Sequence, residues 1–232
     1  METDLNIPGL IDHIPYFGHI YRTNQVNGNR ASYMKKLLEM ELKRHPSKYI
    51  FNILEVGSWA GESAVLWANK IKELNANGRI LCIDEWKPYD EILNTQPEMM
   101  KAFEDDRIFK LFLRNTVASG TSEIISYIRG NSLEILPLLR RNYFNMVYVD
   151  GSHVYEYVKS DILNAMRVTK VGGVISGDDL EIQADKEPDP LLCHIGVTQA
   201  VWDCFCKRVS SWQGFWAMRK ESSLNYVEIS LA

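Results

Sequence analysis

Two rhythms of apolar residues alternate along the chain: short runs of strand length, and longer stretches whose apolar positions recur every three or four residues. Their alternation predicts a parallel sheet covered by helices. Ile50 to Val56 reads as a first buried strand, and after a glycine-containing turn Ala64, Val65, Ala68, Ile71 and Leu74 mark a helix face that ends near Gly78. Arg79 to Asp84 is the second strand. A long polar excursion follows from Glu85 to about Asp106, then a helix through Ile108, Leu111, Phe112 and Val117. A third strand is expected near 124–129, a short helix from Leu133 to Arg140, and a fourth strand from Phe144 to Asp150. Val154, Val158, Ile162 and Ala165 form the next helical stripe, and Val174 to Gly177 forms the fifth strand. Gln199 to Val209 reads as a helix, and Phe215–Met218 with Tyr226–Ile229 as a closing antiparallel pair. The expected fold is α/β, a Rossmann-like sheet of seven mostly parallel strands with helices on both faces.

Residues 1–30 have no such rhythm, because Pro8, Gly9, Pro15, Gly18 and Asn27–Asn29 interrupt it, and a helix is expected from Ala31 to Lys43. The chain therefore divides into an N-terminal arm and helix, 1–45, read as a lid or oligomer contact, and one catalytic-sized domain, 46–232. Composition changes this picture little: 46% of the 232 residues are hydrophobic, enough for a full core. Charge is more useful. The 26 Lys and Arg against 30 Asp and Glu leave a net charge of -4, which argues against a nucleic-acid partner. Without a signal-like or membrane-length apolar run, the expected location is cytoplasmic, away from membranes. Cys82, Cys193, Cys204 and Cys206 lack zinc-like pairing and are expected to be reduced thiols.

Ligands of open α/β sheets bind beyond the carboxyl ends of the strands, and here those ends are unusually polar. After the first strand comes Glu55-Val56-Gly57-Ser58-Trp59-Ala60-Gly61-Glu62-Ser63. Gly57 and Gly61 let backbone approach a ligand, and the helix that follows offers unpaired N–H groups to a carboxylate. The same two glycines also suit a tight strand-to-helix turn. The spacing is not GxGxxG, and Glu55 would repel a pyrophosphate, so a cationic or zwitterionic ligand is favoured. Asp84 lies 27 residues after Gly57, where a carboxylate can accept ribose hydroxyls or serve only as a turn former.

These segments, followed by Gly130-Asn131-Ser132, resemble the successive cofactor motifs of class I S-adenosylmethionine-dependent methyltransferases. Val149-Asp150-Gly151-Ser152-His153 and Gly172 to Asp179 further resemble the metal-dependent O-methyltransferases, especially those acting on macrolide sugars (the macrocin and mycinamicin type). The resemblance spans about Ile50 to Asp179. It implies that Glu55, Gly57 and Ser63 hold the methionine end of S-adenosylmethionine, Asp84 the ribose, and Asn131 with Ser132 the adenine edge, while Ser58, Trp59, Gly61 and Asp150 complete the cofactor site. It implies Asp150, Asp178 and Asp179 as ligands of Mg²⁺ or another divalent cation. Three converging carboxylates repel one another unless protons or a cation compensate, and all-oxygen ligands favour Mg²⁺ over zinc. Adjacent side chains on a strand face opposite sides, however, so Asp178 and Asp179 can share an ion only where the chain turns.

His153 follows Asp150 by three residues, the position that carries the base in the resembling families, and is the expected catalytic base. His194 is its rival, assigned to pocket shape or helix capping, while His13, His19 and His45 have no partner pattern. The implied reaction moves a methyl group from S-adenosylmethionine to a hydroxyl of a small-molecule acceptor, and Asp179, where the catechol type has asparagine, favours a sugar or glycoside diol. Trp86, Tyr155 and Tyr157 are candidates for stacking on it, although core packing is commoner for any one of them. Trp202, Phe205, Trp212, Phe215 and Trp216 suit internal packing or the surface of a homo-oligomer, the expected assembly. Two alternatives remain: a non-catalytic cofactor- or metal-binding member of the fold, and, more distantly, an NAD-dependent dehydrogenase.

Overall fold

The structure, a computed structural model, describes residues 15–17, 29–46, 48–88, 97–180, 194–206 and 209–231. His13, His19, Cys193, the acidic 185–190 segment, most of the N-terminal arm and part of the 85–106 excursion lie outside these.

The strands are β1 (Phe51–Val56), β2 (Gly78–Asp84), β3 (Ile125–Arg129), β4 (Phe144–Val149), β5 (Thr169–Leu180), β6 (Ser211–Trp212), β7 (Gly214–Lys220) and β8 (Tyr226–Glu228). They form one sheet in the order β3-β2-β1-β4-β5-β7-β6, with β8 also on β7. The first five run parallel, and β7 lies antiparallel to β5. The expected closing pair is present as β7 and β8, with Met218 opposite Glu228. The two-residue β6 raises the count to eight. Because β1 has β2 on one side and β4 on the other, the chain reverses its direction of winding there and leaves a crevice beyond their carboxyl ends.

Side-chain alternation divides the core. Phe51 and Ile53 of β1, Met146 and Tyr148 of β4 and Phe215 of β7 enter one layer; Leu54, Val56, Val147, Val149 and Trp216 enter the other. Helices α1 (Asn29–Lys43), α2 (Glu62–Glu73), α3 (Pro97–Glu104) and α4 (Arg107–Ala118) cover the first layer. The second is covered by α5 (Ser132–Ile135), α6 (Tyr155–Val168) and α7 (Ile195–Phe205).

Three expectations are corrected. The helix assigned to the arm is part of the core: Met34, Leu37 and Leu38 are buried with Trp67 and Phe215. Buried Glu41 takes a two-pronged hydrogen bond from Arg219 at 2.6 and 3.0 Å, and Lys36 donates to the Leu231 carbonyl at 3.1 Å. The helix at 133–140 is only α5 followed by a 3-10 turn, since Pro137 cannot continue an α-helical hydrogen-bond ladder. Finally, α7 begins four residues earlier than its apolar period suggested, directly after His194.

Gly57 has φ +81, and a Cβ there would lie 2.1 Å from the Asp150 carbonyl oxygen, so the ends of β1 and β4 approach more closely than any other residue allows. Gly172 shares the left-handed conformation at φ +82 but has nothing within 4 Å. Gly172→Ala should therefore cost about 1–2 kcal/mol of backbone strain, and Gly57→Ala more than ~3 kcal/mol because a backbone contact must also open. Equilibrium urea unfolding compares them; equal losses would contradict the close-approach account.

Candidate functional site

A cavity of about 320 Å³ opens where that crevice was expected. Of the residues singled out in the sequence, Gly57, Ser58, Trp59, Ser63, Asp84, Asn131, Ser132, Asp150 and His153 line it. Glu55, Gly61, Asp178 and Asp179 do not.

Asp84, at the end of β2, accepts the backbone N–H groups of Ser58 and Trp59 on Oδ2 at 2.8 and 2.9 Å, and that of Trp86 on Oδ1 at 2.6 Å. Burial pushes its carboxyl upward, and those three N–H groups act against the shift. The residue read as a ribose ligand is thus first a clamp on the β1–α2 turn. Gly57 and Gly61 are likewise explained by protein contacts: the missing Cβ of Gly57 faces Asp150, and that of Gly61 would lie 2.9 Å from the Phe112 ring. Asn131 caps α5, its Oδ1 accepting the Leu133 N–H at 2.8 Å. Trp86 is not available for stacking on an acceptor, because it is buried against Phe109 and Phe112 with its indole N–H donated to the Trp59 carbonyl. Tyr157 does line the cavity, whereas Tyr155 points its hydroxyl to Asp203 and Lys159.

Glu55 shares the face of β1 with Phe51 and Ile53 and lies fully buried behind the cavity wall. Burial drives its carboxyl up to about 8, against the Ser58 and Ser63 hydroxyls and with help from the negative charge of Asp84. The Cys82 thiol stands 4.0 Å from its Oε1, and among the described residues Oε2 has no hydrogen-bond partner.

Asp178 and Asp179 separate as strand alternation requires. Asp178 turns to the α1 side, where Arg30 donates to its Oδ2 at 2.6 Å and the Tyr148 hydroxyl stands 3.4 Å from the same oxygen. Asp179 turns to the α6 and α7 side. The bend falls at Asp179 itself, with φ +63, within an irregularity of the β5–β7 pairing between Gly177 and Leu180. Its carboxylate faces His153 Nε2 at 3.0 Å and His194 Nδ1 at 3.4 Å, and the two imidazoles stack with centroids 3.9 Å apart. Burial works upward on the Asp179 carboxyl, but the His153 hydrogen bond and the charges of His153, His194 and Arg30 hold it below its ordinary value. The expected Asp150–Asp178–Asp179 trio is therefore not where ligand atoms converge: among the described residues His153, Asp179 and His194 bring theirs within 4.8 Å of one another. His194 belongs to the site and does not cap α7 with its side chain.

The model of one protein family, the methyltransferase domain, matches residues 54–180, and this stretch contains the carboxyl end of β1 and all of β2, β3, β4 and β5 up to Leu180. The chain is a member of the methyltransferase domain family. Solved structures with the same fold include the O-methyltransferase NovP, at 14% identity and TM-score 0.59 over 87% of this chain and 84% of that one. An O-methyltransferase from Bacillus cereus in complex with SAH matches at 14% identity and TM-score 0.53 over 84% and 81%. The calicheamicin methyltransferase CalS11 matches at 12% and 0.53 over 84% and 80%. At such identities the likeness is one of fold. No protein of curated function matches the chain in sequence. Among the described residues no helix is long and apolar enough to cross a membrane.

Within this methyltransferase domain the converging donors are two imidazoles and one carboxylate, not the all-oxygen set that Mg²⁺ prefers. Burial raises the Asp150 carboxyl well above its ordinary range, and the negative charges of Asp178 and Asp179 raise it further, so the three acids share a field that a cation would relieve. One residue escaped the sequence reading. Asp161 on α6 is buried at the cavity wall, pushed by burial to about 7 against the Ser132 hydroxyl. An acid three residues after Val158, on the apolar stripe of a helix, was the available signal.

The raised carboxyl of Glu55 sets a pH dependence. A folded value of about 8 above a reference of 4.5 means that the ligand-free fold has its full stability below about pH 4.5 and loses part of it as pH rises to about 8. Glu55→Gln should lack that loss and gain on the wild type by on the order of 4 kcal/mol above pH 8, with the gain shrinking to nothing near pH 4.5. Urea unfolding from pH 4.5 to 9 checks this, and parallel profiles for the two proteins would contradict it.

Proposed function

We propose that the protein is an S-adenosylmethionine-dependent O-methyltransferase acting on a hydroxyl of a small molecule, a sugar or glycoside diol, with a divalent cation and His153 as base. One observation carries this reading: the cavity at the β1–β4 crevice has His153 in its wall, and that imidazole is oriented by Asp179 at 3.0 Å. The β1–α2 turn would take the methionine end of the cofactor, with Ser63 and the N–H groups of the first turn of α2 facing its carboxylate. Glu55, behind that turn and protonated near neutral pH in the ligand-free fold, would ionise as the ammonium group binds. Ser132 and Asn131 lie where the adenine edge would sit, and Asp161 adds an acceptor there.

A cation would sit in the negative field that Asp150, Asp178 and Asp179 share, without all three as its ligands, and its chemistry would be to lower the pKa of an acceptor hydroxyl. His153 removes the hydroxyl proton, and Asp179 stabilises the imidazolium that results. The oxygen then attacks the methyl carbon in line: the O–C bond forms as the S–C bond breaks, giving the methyl ether and S-adenosylhomocysteine. Positive charge on sulfur vanishes in this step, so positioning and exclusion of water do most of the work. Glu62, Glu85 and Lys87 in the cavity wall suit a hydroxyl-rich acceptor.

The test joins calorimetry with S-adenosylhomocysteine to a methyl-transfer assay over glycosides and vicinal diols. Wild-type protein should bind S-adenosylhomocysteine and methylate at least one acceptor. Chelation and His153→Ala should each lower turnover by about 100-fold or more while binding survives. Folded protein that does not bind S-adenosylhomocysteine would overturn the proposal, and binding without transfer to any acceptor would favour the non-catalytic alternative.

A further inference from the structure

We propose that His153, Asp179 and His194 form a binding site for a divalent transition ion of the zinc type, and that this ion and the base function of His153 exclude each other. The site stands on its own geometry, and its effect on methyl transfer rests on His153 being the base.

Three elements bring the donors together. His153 lies in the loop between β4 and α6, Asp179 at the left-handed bend of β5, and His194 immediately before α7. The second residue of α7 is Gly196, where a Cβ would lie 2.2 Å from the His153 carbonyl oxygen and 2.8 Å from the Tyr155 nitrogen. Only glycine lets the helix start come so close to that loop, and the contact sets the two histidines side by side. His153 Nε2 stands 3.0 Å from one oxygen of Asp179, and His194 Nδ1 stands 3.4 Å from the other. Donors held 2.0–2.1 Å from a tetrahedral ion are about 3.3 Å from one another, so both nitrogen–oxygen spacings already suit it. The three ligand atoms all lie within 4.8 Å of one another, and small ring rotations close the rest.

The donor types select the ion. Two imidazoles and one carboxylate suit zinc and its neighbours in the first transition row, whereas Mg²⁺ prefers oxygen throughout. The side chains of His153 and His194 are 28% and 38% exposed, so an ion has a path in and water can fill its fourth position. Asp150 shares the electrostatic field of Asp179 and adds to the attraction. The consequence for the base follows from the imidazole itself. A neutral ring carries one N–H. As base, His153 keeps that proton on Nε2, directed at Asp179, and accepts the hydroxyl proton on Nδ1. An ion on Nε2 moves the proton of the neutral ring to Nδ1, where no second one can be accepted. His153 therefore serves either the ion or the reaction.

The experiment is calorimetric titration of the metal-free full chain with Zn²⁺ for wild type, His194→Ala and His153→Gln, with thermal unfolding of each to establish that it is folded. Wild type should bind Zn²⁺ at a site that excess Mg²⁺ does not compete for, and each variant should bind it about 100-fold or more weaker. If one variant does not fold, the other decides. Cys206→Ser, which changes an exposed thiol, should bind as wild type does. No Zn²⁺ binding by wild type, equal affinity in a folded histidine variant, or a loss caused by Cys206→Ser would each overturn the site. With a methyl acceptor present, Zn²⁺ should suppress transfer with its half-effect at the concentration that half-fills the site, and transfer at full rate by Zn²⁺-saturated protein would overturn the exclusion. S-adenosylhomocysteine titrated into the same samples keeps the two readings apart, because its failure to bind would remove the methyltransferase reading and leave the Zn²⁺ comparison intact.

Discussion

The site depends on one carboxylate holding backbone. Asp84 ends β2 with its side chain turned toward β1, and two successive N–H groups of the next turn, from Ser58 and Trp59, converge on its Oδ2. Those donors have no strand partner beyond the sheet, so without the acid they would turn to water and the turn would lose its shape. With it, the turn is drawn over β2, Gly57 is brought against Asp150, and the two strand ends that bound the cavity are fixed relative to each other. Trp86 completes the arrangement by donating its indole N–H to the Trp59 carbonyl. The wall that faces a ligand is thus set by protein–protein hydrogen bonds.

The strands and most helices were legible because each has a buried face with a period of its own: β1 alternates between two core layers, and Val158, Ile162 and Ala165 stripe α6. Most of the strand-end residues named from the sequence do meet at the cavity. What sequence could not supply was direction. Asp84, Asn131 and Gly57 stand where expected, yet each is engaged by a backbone neighbour whose position depends on the fold. Arg30 was beyond reach for another reason: 148 residues separate it from Asp178, and nothing in its local pattern indicates a buried partner. The start of α7 was misread because its first turn is weakly apolar on its buried side.

Adjacent aspartates on one strand also show how alternation divides labour. Asp178 joins an arginine and a tyrosine on one face of the sheet, and Asp179 joins two histidines on the other. A permanent positive charge serves the first acid, and two imidazoles serve the second. The left-handed bend at Asp179 keeps both close enough to influence Asp150. Electrostatic coupling thus passes through the plane of the sheet without direct contact between the two side chains.

Helix α1 has a consequence for the order in which the chain acquires structure. It leaves the ribosome before every strand of the sheet, yet four of its polar anchors, Asp178, Gln213, Arg219 and Leu231, emerge among the later residues. Met34, Leu37 and Leu38 can pack on Trp67 of α2 as soon as that helix forms, and Lys70 can pair with Glu39, but buried Glu41 near the end of α1 has no Arg219 until β7 is made. During synthesis α1 can settle on α2 early, while its bonds to β5 and β7 close only after those strands have emerged. Translation itself thereby separates assembly of the cofactor crevice from the arrival of Arg30 at Asp178.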